Sequence, residues 1–228
     1  MACILHIETS TRVCSSALSL DGKIIFERCN PEDASHSASL GVYVQEAVAF
    51  ARRELRPVEA VAVSAGPGSY TGLRIGVSEA KGLGYGWNIP VIALPSLKIL
   101  AASVSTILPD DCYLLCPMID ARRMEVYAAI YDRQLNLIRD VQADIVDTAT
   151  YEAFLAQGKV AFFGDGAEKC RAVIPSENAL FLENRVPLAT AMAPLAEEAF
   201  RNKDFVDTAY FEPFYLKEFQ ATTPKKRI

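Results

Sequence analysis

Apolar and polar positions follow two rhythms along this chain, one of period two and one of three-and-four. Cys3 to Glu8 is an apolar run closed by the polar cluster Glu8-Thr9-Ser10-Thr11, which predicts a buried strand and a turn. Val13 to Leu20 predicts a second strand, and Asp21-Gly22 supplies a hairpin turn into a third, Lys23 to Arg28. From Ser37 to Leu55 the spacing becomes helical. A strand at 58–63, a glycine-rich loop at 65–72, a helix at 73–87, a strand from Pro90 to Leu94 and a helix near 97–107 complete a first round.

A second round starts near Cys112. Tyr113 to Ile119, Glu125 to Tyr131 and Leu135 to Val146 read as a meander, and Tyr151 to Gln157 as a short helix. Lys159 to Phe163 and Ala179 to Leu182 read as strands, and Thr190 to Asn202 as an amphipathic helix with Met192, Leu195, Ala196, Ala199 and Phe200 on its apolar face. Both rounds run meander, helix, strand, without a strict sequence repeat. The order predicts an α/β protein of two related lobes, each a mixed sheet flanked by helices. The boundary is expected near Leu108-Pro109-Asp110-Asp111. Residues 1–108 would carry the glycine loop and the partner-binding helices, and 109–228 a smaller second lobe with the final helix and a basic tail.

Two helices carry more apolar or small residues than one buried face requires. In the first, Leu40, Val44, Ala47, Val48, Ala51 and Leu55 form one stripe, and Val42, Tyr43, Ala49 and Phe50 a second. In the second, Gly72, Gly76, Ala80 and Gly84 recur every four residues, while Ser78, Gly82 and Gly86 line a nearly opposite face. Each interior glycine opposes a helix by about 0.5–1 kcal/mol relative to alanine. Close approach of other backbones would offset that, either within the chain alone or with one face against a second subunit. The expected partner-facing set is Leu40, Val44, Val48 and Ala51 with Gly72, Arg74, Gly76, Ala80 and Leu83.

Composition narrows the class. The chain has 228 residues, is 51% hydrophobic and 22% charged, and carries a net charge of −5, as an ordinary globular protein does. That charge excludes a body-wide nucleic-acid footprint. The basic tail Pro224-Lys225-Lys226-Arg227 reads as a solvated terminus or as a phosphate-touching arm within a larger assembly. No apolar run suits a membrane span, no signal peptide is expected, and the six cysteines form no C-x-x-C pair. A cytoplasmic protein with reduced thiols is expected. Cys112 and Cys116, four apart in one strand, are expected on one sheet face as core residues, with a metal pair as the alternative.

Candidate chemistry is sparse. Only His6 and His36 exist, so no helical two-histidine metal site can be built, and no G-x-S-x-G elbow accompanies them. The run Gly66-Pro67-Gly68-Ser69-Tyr70-Thr71-Gly72 joins a strand to a helix start, where backbone N–H groups attract anions. It matches neither the P-loop nor the dinucleotide fingerprint. Its first reading is structural, shaping the helix start. Phosphoryl transfer would instead use the turns 8–11, 66–72 and 164–167, with Glu8, Thr9, Asp120 and Asp165 as nucleotide-site candidates at strand ends. A carboxylate closing a strand also serves simply as a turn residue.

Four stretches together resemble the bacterial TsaB (YeaZ) family: Ile4-Leu5-His6-Ile7-Glu8-Thr9-Ser10-Thr11, the loop from Gly66 to Gly76, Ile119-Asp120-Ala121-Arg122-Arg123-Met124-Glu125-Val126-Tyr127 and Pro213-Phe214-Tyr215-Leu216-Lys217. The resemblance spans nearly the whole chain. It implies two RNase H-like lobes in the fold of actin, sugar kinases and the Hsp70 ATPase domain. It also implies a part in making N6-threonylcarbamoyladenosine at position 37 of tRNA. In that family the catalytic paralogue TsaD holds the metal through a histidine pair, and TsaB-like chains act as its dimerisation partner, with the ATPase TsaE joining. Homodimerisation of the lone chain is expected, tRNA is met through the complex, and ATP and metal belong to partner subunits. Many relatives close the first strand with I-D-T. Here Glu8, one methylene longer, displaces the carboxylate. The alternatives are a small-molecule kinase or ATPase of the same fold and a glycoprotease-like metallopeptidase.

Overall fold

In the structure, a computed structural model that describes residues 2–30, 35–105, 107–109 and 111–217, two five-stranded sheets share one plan. In the first, β1 (Cys3–Glu8), β2 (Cys14–Leu20) and β3 (Lys23–Asn30) form an antiparallel meander, and β4 (Ala60–Ser64) and β5 (Val91–Leu94) extend it in parallel from β1, giving the order β3-β2-β1-β4-β5. The second repeats this. β6 (Cys112–Asp120), β7 (Glu125–Asp132) and β8 (Leu137–Ile145) are antiparallel, and β9 (Lys159–Phe163) and β10 (Ala179–Leu182) run parallel from β6. This is the expected pair of α/β lobes, each a mixed sheet flanked by helices. Asp21 and Gly22, both at positive φ (50° and 73°), turn the first hairpin as the Asp-Gly pair predicts.

Each central strand is apolar on both sides because helices cover both sheet faces. Helices α1 (His36–Arg53) and α2 (Tyr70–Trp87) lie on one face of the first sheet, over Leu5, Ile7, Leu18, Val61 and Val63. The other face, with Ile4, Ala62, Ile92 and Leu94, is covered by a 3-10 segment (Ala189–Met192) and helix α5 (Ala193–Asn202) through Met192, Leu195 and Ala196. Helix α3 (Ser96–Ala102) bridges the sheets: Ile99 joins that layer, whereas Leu97, Leu100 and Ala101 pack with Leu115, Ile119 and Phe163 of the second. The far face of the second sheet is closed by α4 (Glu152–Leu155) and the segment Glu168–Val173.

Two expectations change. A cut into 1–108 and 109–228 does not follow the packing, because residues 189–206 return to the first sheet, where Val206 bridges Val91. And Cys112 and Cys116 face opposite sides of the second sheet, Cys112 with Leu97 and Leu115, Cys116 with Met118 and Phe162. A register shift between Cys112 and Leu114 inserts an extra residue, which inverts the period-two alternation. They form no metal pair. The basic tail 224–227 lies outside the described residues.

Candidate functional site: a filled cleft and an open helix face

The sequence-predicted nucleotide-site residues sit at strand ends and form two groups, Glu8 and Thr9 at the end of β1, and Asp120 with Asp165 at the ends of β6 and β9. Glu8 closes β1 and is fully buried. Its Oε1 accepts the Ser10 N–H at 2.6 Å, and its Oε2 has no partner. Burial pushes its pKa up to about 7, against the Ser10 hydrogen bond, which favours the anion. Thr9 donates its N–H to Ser64 Oγ at 3.2 Å. The glycine loop lies directly on this turn. Ser69 N–H reaches Ser10 O at 2.6 Å, and a Cβ on Gly68 would stand 2.2 Å from the same oxygen. A Cβ on Gly72 would stand 2.2 Å from Thr9 O, and one on Gly76 2.2 Å from Thr9 Oγ1. Ser69 then caps α2 by accepting the Gly72 N–H at 3.2 Å. The loop thus packs directly on Thr9 and Ser10, and its glycines at 68, 72 and 76 are what allow that approach.

Asp120 and Asp165 meet across the ends of β6 and β9. Asp165 Oδ1 accepts the Asp120 N–H at 2.9 Å, while Asp120 Oδ1 accepts from the Arg122 N–H at 3.0 Å and pairs with Lys169. Asp165 is exposed as a residue, yet desolvation of its carboxyl, with the Asp120 charge adding to it, raises its pKa, and Arg12 from the β1–β2 turn opposes that rise. Both carboxylates thus have hydrogen-bond partners within the chain, separate from the partners of Glu8. Among the described residues no three His, Cys, Asp or Glu side chains group to hold a metal ion. His6 is buried in the sheet, its Nε2 2.7 Å from Ser19 Oγ, and burial lowers its pKa to about 3. His36 Nε2 lies 2.9 Å from Thr11 O.

A C-terminal strap, undetected in the periodicity although its residues belong to one of the family stretches, ties the lobes together. Lys81 Nζ donates to Phe211 O at 2.9 Å, and Phe214 N–H to Ala65 O at 2.7 Å. The Tyr215 ring packs on Tyr70 at 4.6 Å, Arg74 lies over Tyr70 at 4.2 Å, and Lys217 pairs with Glu125 of β7. Gly66 has a φ of 106°, and a Cβ there would stand 2.5 Å from Phe214 O, so only glycine lets the strap pass.

The expected partner-facing set divides. Leu40, Val44, Ala51, Gly72, Gly76 and Ala80 are buried under the chain's own residues, and Val48 and Leu83 pack against the same core. They are core, because this face of each helix meets the sheet and Thr9. Arg74 is exposed. The outward face is the other one: Ala38, Gly41, Val42, Gln45 and Ala49 on α1, and Ser78, Gly82, Tyr85 and Gly86 on α2. Val42 is 50% exposed and Tyr85 85%. A Cβ on Gly41, Gly82 or Gly86 would meet nothing within 4 Å.

Known proteins decide the family. Over residues 29–223 the chain matches the family model described as TsaD, tRNA N6-adenosine threonylcarbamoyltransferase. It is 31% identical to the Escherichia coli (strain K12) tRNA threonylcarbamoyladenosine biosynthesis protein TsaB over 94% of each chain. The chain belongs to the TsaB (YeaZ) family. The TsaB of Bacillus subtilis (strain 168) is 34% identical over 62% of this chain and 60% of that protein. YeaZ from Pseudomonas aeruginosa has the same fold, with a TM-score of 0.79 at 23% identity over 95% of this chain and all of that one. As a TsaB-family member, the chain takes part in tRNA threonylcarbamoyladenosine biosynthesis. Among the described residues no helix is long and apolar enough to cross a membrane.

Proposed function

We propose that this chain is a non-catalytic scaffold subunit of the complex that forms N6-threonylcarbamoyladenosine at position 37 of tRNA. It pairs through the outer face of α1 and α2 with a TsaD-like catalytic paralogue, is joined by a TsaE-like ATPase in the cytoplasm, and pairs with itself when alone. The supporting observation is the open glycine face. Gly82 weakens α2 by about 1 kcal/mol relative to alanine, and among the described residues nothing uses the space that it and Gly86 leave. A second backbone approaching closely would use it.

Co-purification with the paralogue tests this. Gly82→Arg is expected to weaken pairing by about tenfold or more by opposing that approach with a bulky cation, while the chain's own melting temperature holds. Undiminished pairing would remove this face from the interface.

Nucleotide chemistry is assigned to the partners, in keeping with a loop that packs directly on Thr9 and Ser10. Calorimetry with Mg-ATP on the isolated chain is expected to give no binding heat at about micromolar concentrations. Micromolar binding, with turnover lost in Asp120→Asn, would establish the kinase or ATPase alternative instead.

A further inference from the structure

The acidic chain carries a local group of cations at the ends of β6 and β9. We infer that this rim, centred on the β6–β7 turn, is a contact of this chain's own with the phosphate backbone of the tRNA; the inference rests on the role proposed above, which supplies the nucleic acid. The placement follows from a chain of contacts. Lys169 pairs with Asp120 and also donates to Glu125 O at 2.7 Å, and Lys217 pairs with Glu125. Arg122 and Lys217 both act on Tyr127, and Arg12 acts on Asp165. Four cations, Arg12, Arg122, Lys169 and Lys217, thus lie near three carboxylates, and Arg123 follows Arg122 in the turn, in a chain whose net charge is −5. The two lysines satisfy two of those carboxylates, and Asp165 accepts a backbone N–H. The three arginines are exposed and make no ion pair among the described residues.

Backbone conformation is the second, independent observation. Arg122 and Arg123 have φ of 71° and 51°, consecutive residues in the left-handed region. That region disfavours any residue with a Cβ, and glycine or asparagine would make the turn more easily. Positive φ alone does not mark a site, since Leu55, Leu135 and Lys203 share it, but two such arginines in succession at one turn present both guanidiniums from a fixed backbone. Two guanidiniums side by side match phosphate oxygens, since each fork can donate two parallel hydrogen bonds. An acidic protein segment is the competing partner. The relatives' tRNA pathway favours RNA.

The test uses the full chain reconstituted with its TsaD-like paralogue and a labelled tRNA transcript, at about 50 and about 200 mM salt. Arg122→Glu/Arg123→Glu is expected to weaken tRNA binding about tenfold at the lower salt and to flatten its salt dependence by about two phosphate contacts. Arg185→Glu/Arg201→Glu, the same charge change elsewhere, is expected to leave both unchanged. Arg122→Asn/Arg123→Gly keeps the turn, so it should bind tRNA less well at a melting temperature equal to or above the parent's. Unchanged tRNA affinity in both turn variants overturns the inference. So does loss of pairing with the paralogue in either, which would make the rim a protein contact. Should the parent chain fail to pair at all, the scaffold reading falls, and the same titrations on the isolated chain judge the rim separately.

Discussion

Gly72→Ala is expected to destabilise the isolated protein by about 3 kcal/mol, the upper range for overfilling a packed interior. For a chain of this size that is a melting-temperature fall of roughly 6–12 °C. The new Cβ would stand 2.2 Å from Thr9 O, and the turn cannot retreat. Thr9 is held by Ser64, and Ser10 by the Ser69 N–H. Gly82→Ala, ten residues on and also helical, should do the reverse: its Cβ meets nothing within 4 Å, so helix propensity adds up to about 1 kcal/mol. Urea midpoints of the two variants check the pair. Equal effects would mean that the inner and outer faces of α2 are not distinguished as described.

Glu8→Gln is expected to stabilise the protein at pH 8 by on the order of 3 kcal/mol and to give no gain near pH 4.5. Glu8 has a folded pKa of about 7, above its usual 4.5. Below 4.5 it is neutral in both states. Between 4.5 and 7 only the unfolded chain ionises, which favours unfolding, and above 7 the penalty is complete. Glutamine keeps the acceptor for Ser10 N–H and replaces Oε2, the oxygen without a partner. His6 works in the opposite direction. With a folded value of about 3 against 6.5, its contribution is full above 6.5 and is lost as pH falls towards 3. In the parent the two slopes oppose each other between 6.5 and 4.5, so stability there is nearly flat. In Glu8→Gln the His6 loss is uncovered, and stability drops steadily on acidification. Urea unfolding at pH 8, 6 and 4.5 reads this, and a gain independent of pH would show that Glu8 is ionised throughout.

Much of the architecture was legible in the chain because its signals are local. Asp21-Gly22 marked the hairpin, and period-two runs marked the strands of both sheets. Failures came where distant residues decide. A single inserted residue near Cys112 reversed which side Cys116 faces, and spacing alone carries no trace of it. On α2 the small residues define two faces, but the sequence does not say which one Thr9 will fill. The buried stripe, Gly72, Gly76 and Ala80, was therefore read as the surface, although Ser78, Gly82 and Gly86 were already visible as its opposite. The grouping of Arg12 with Asp165 joins residues more than 150 apart, which only the fold brings together.

Helix α5 has a consequence for how the molecule is made. Sheet residues Ile4, Ala62 and Ile92 emerge from the ribosome first, and the side chains that shield them, Met192, Leu195 and Ala196, follow about a hundred residues after the last of them. The first sheet is left with a greasy flank until that later segment has been made. Such a nascent chain offers a natural docking point for chaperones and gathers its native state in one late step, in contrast to proteins whose units mature in order of appearance.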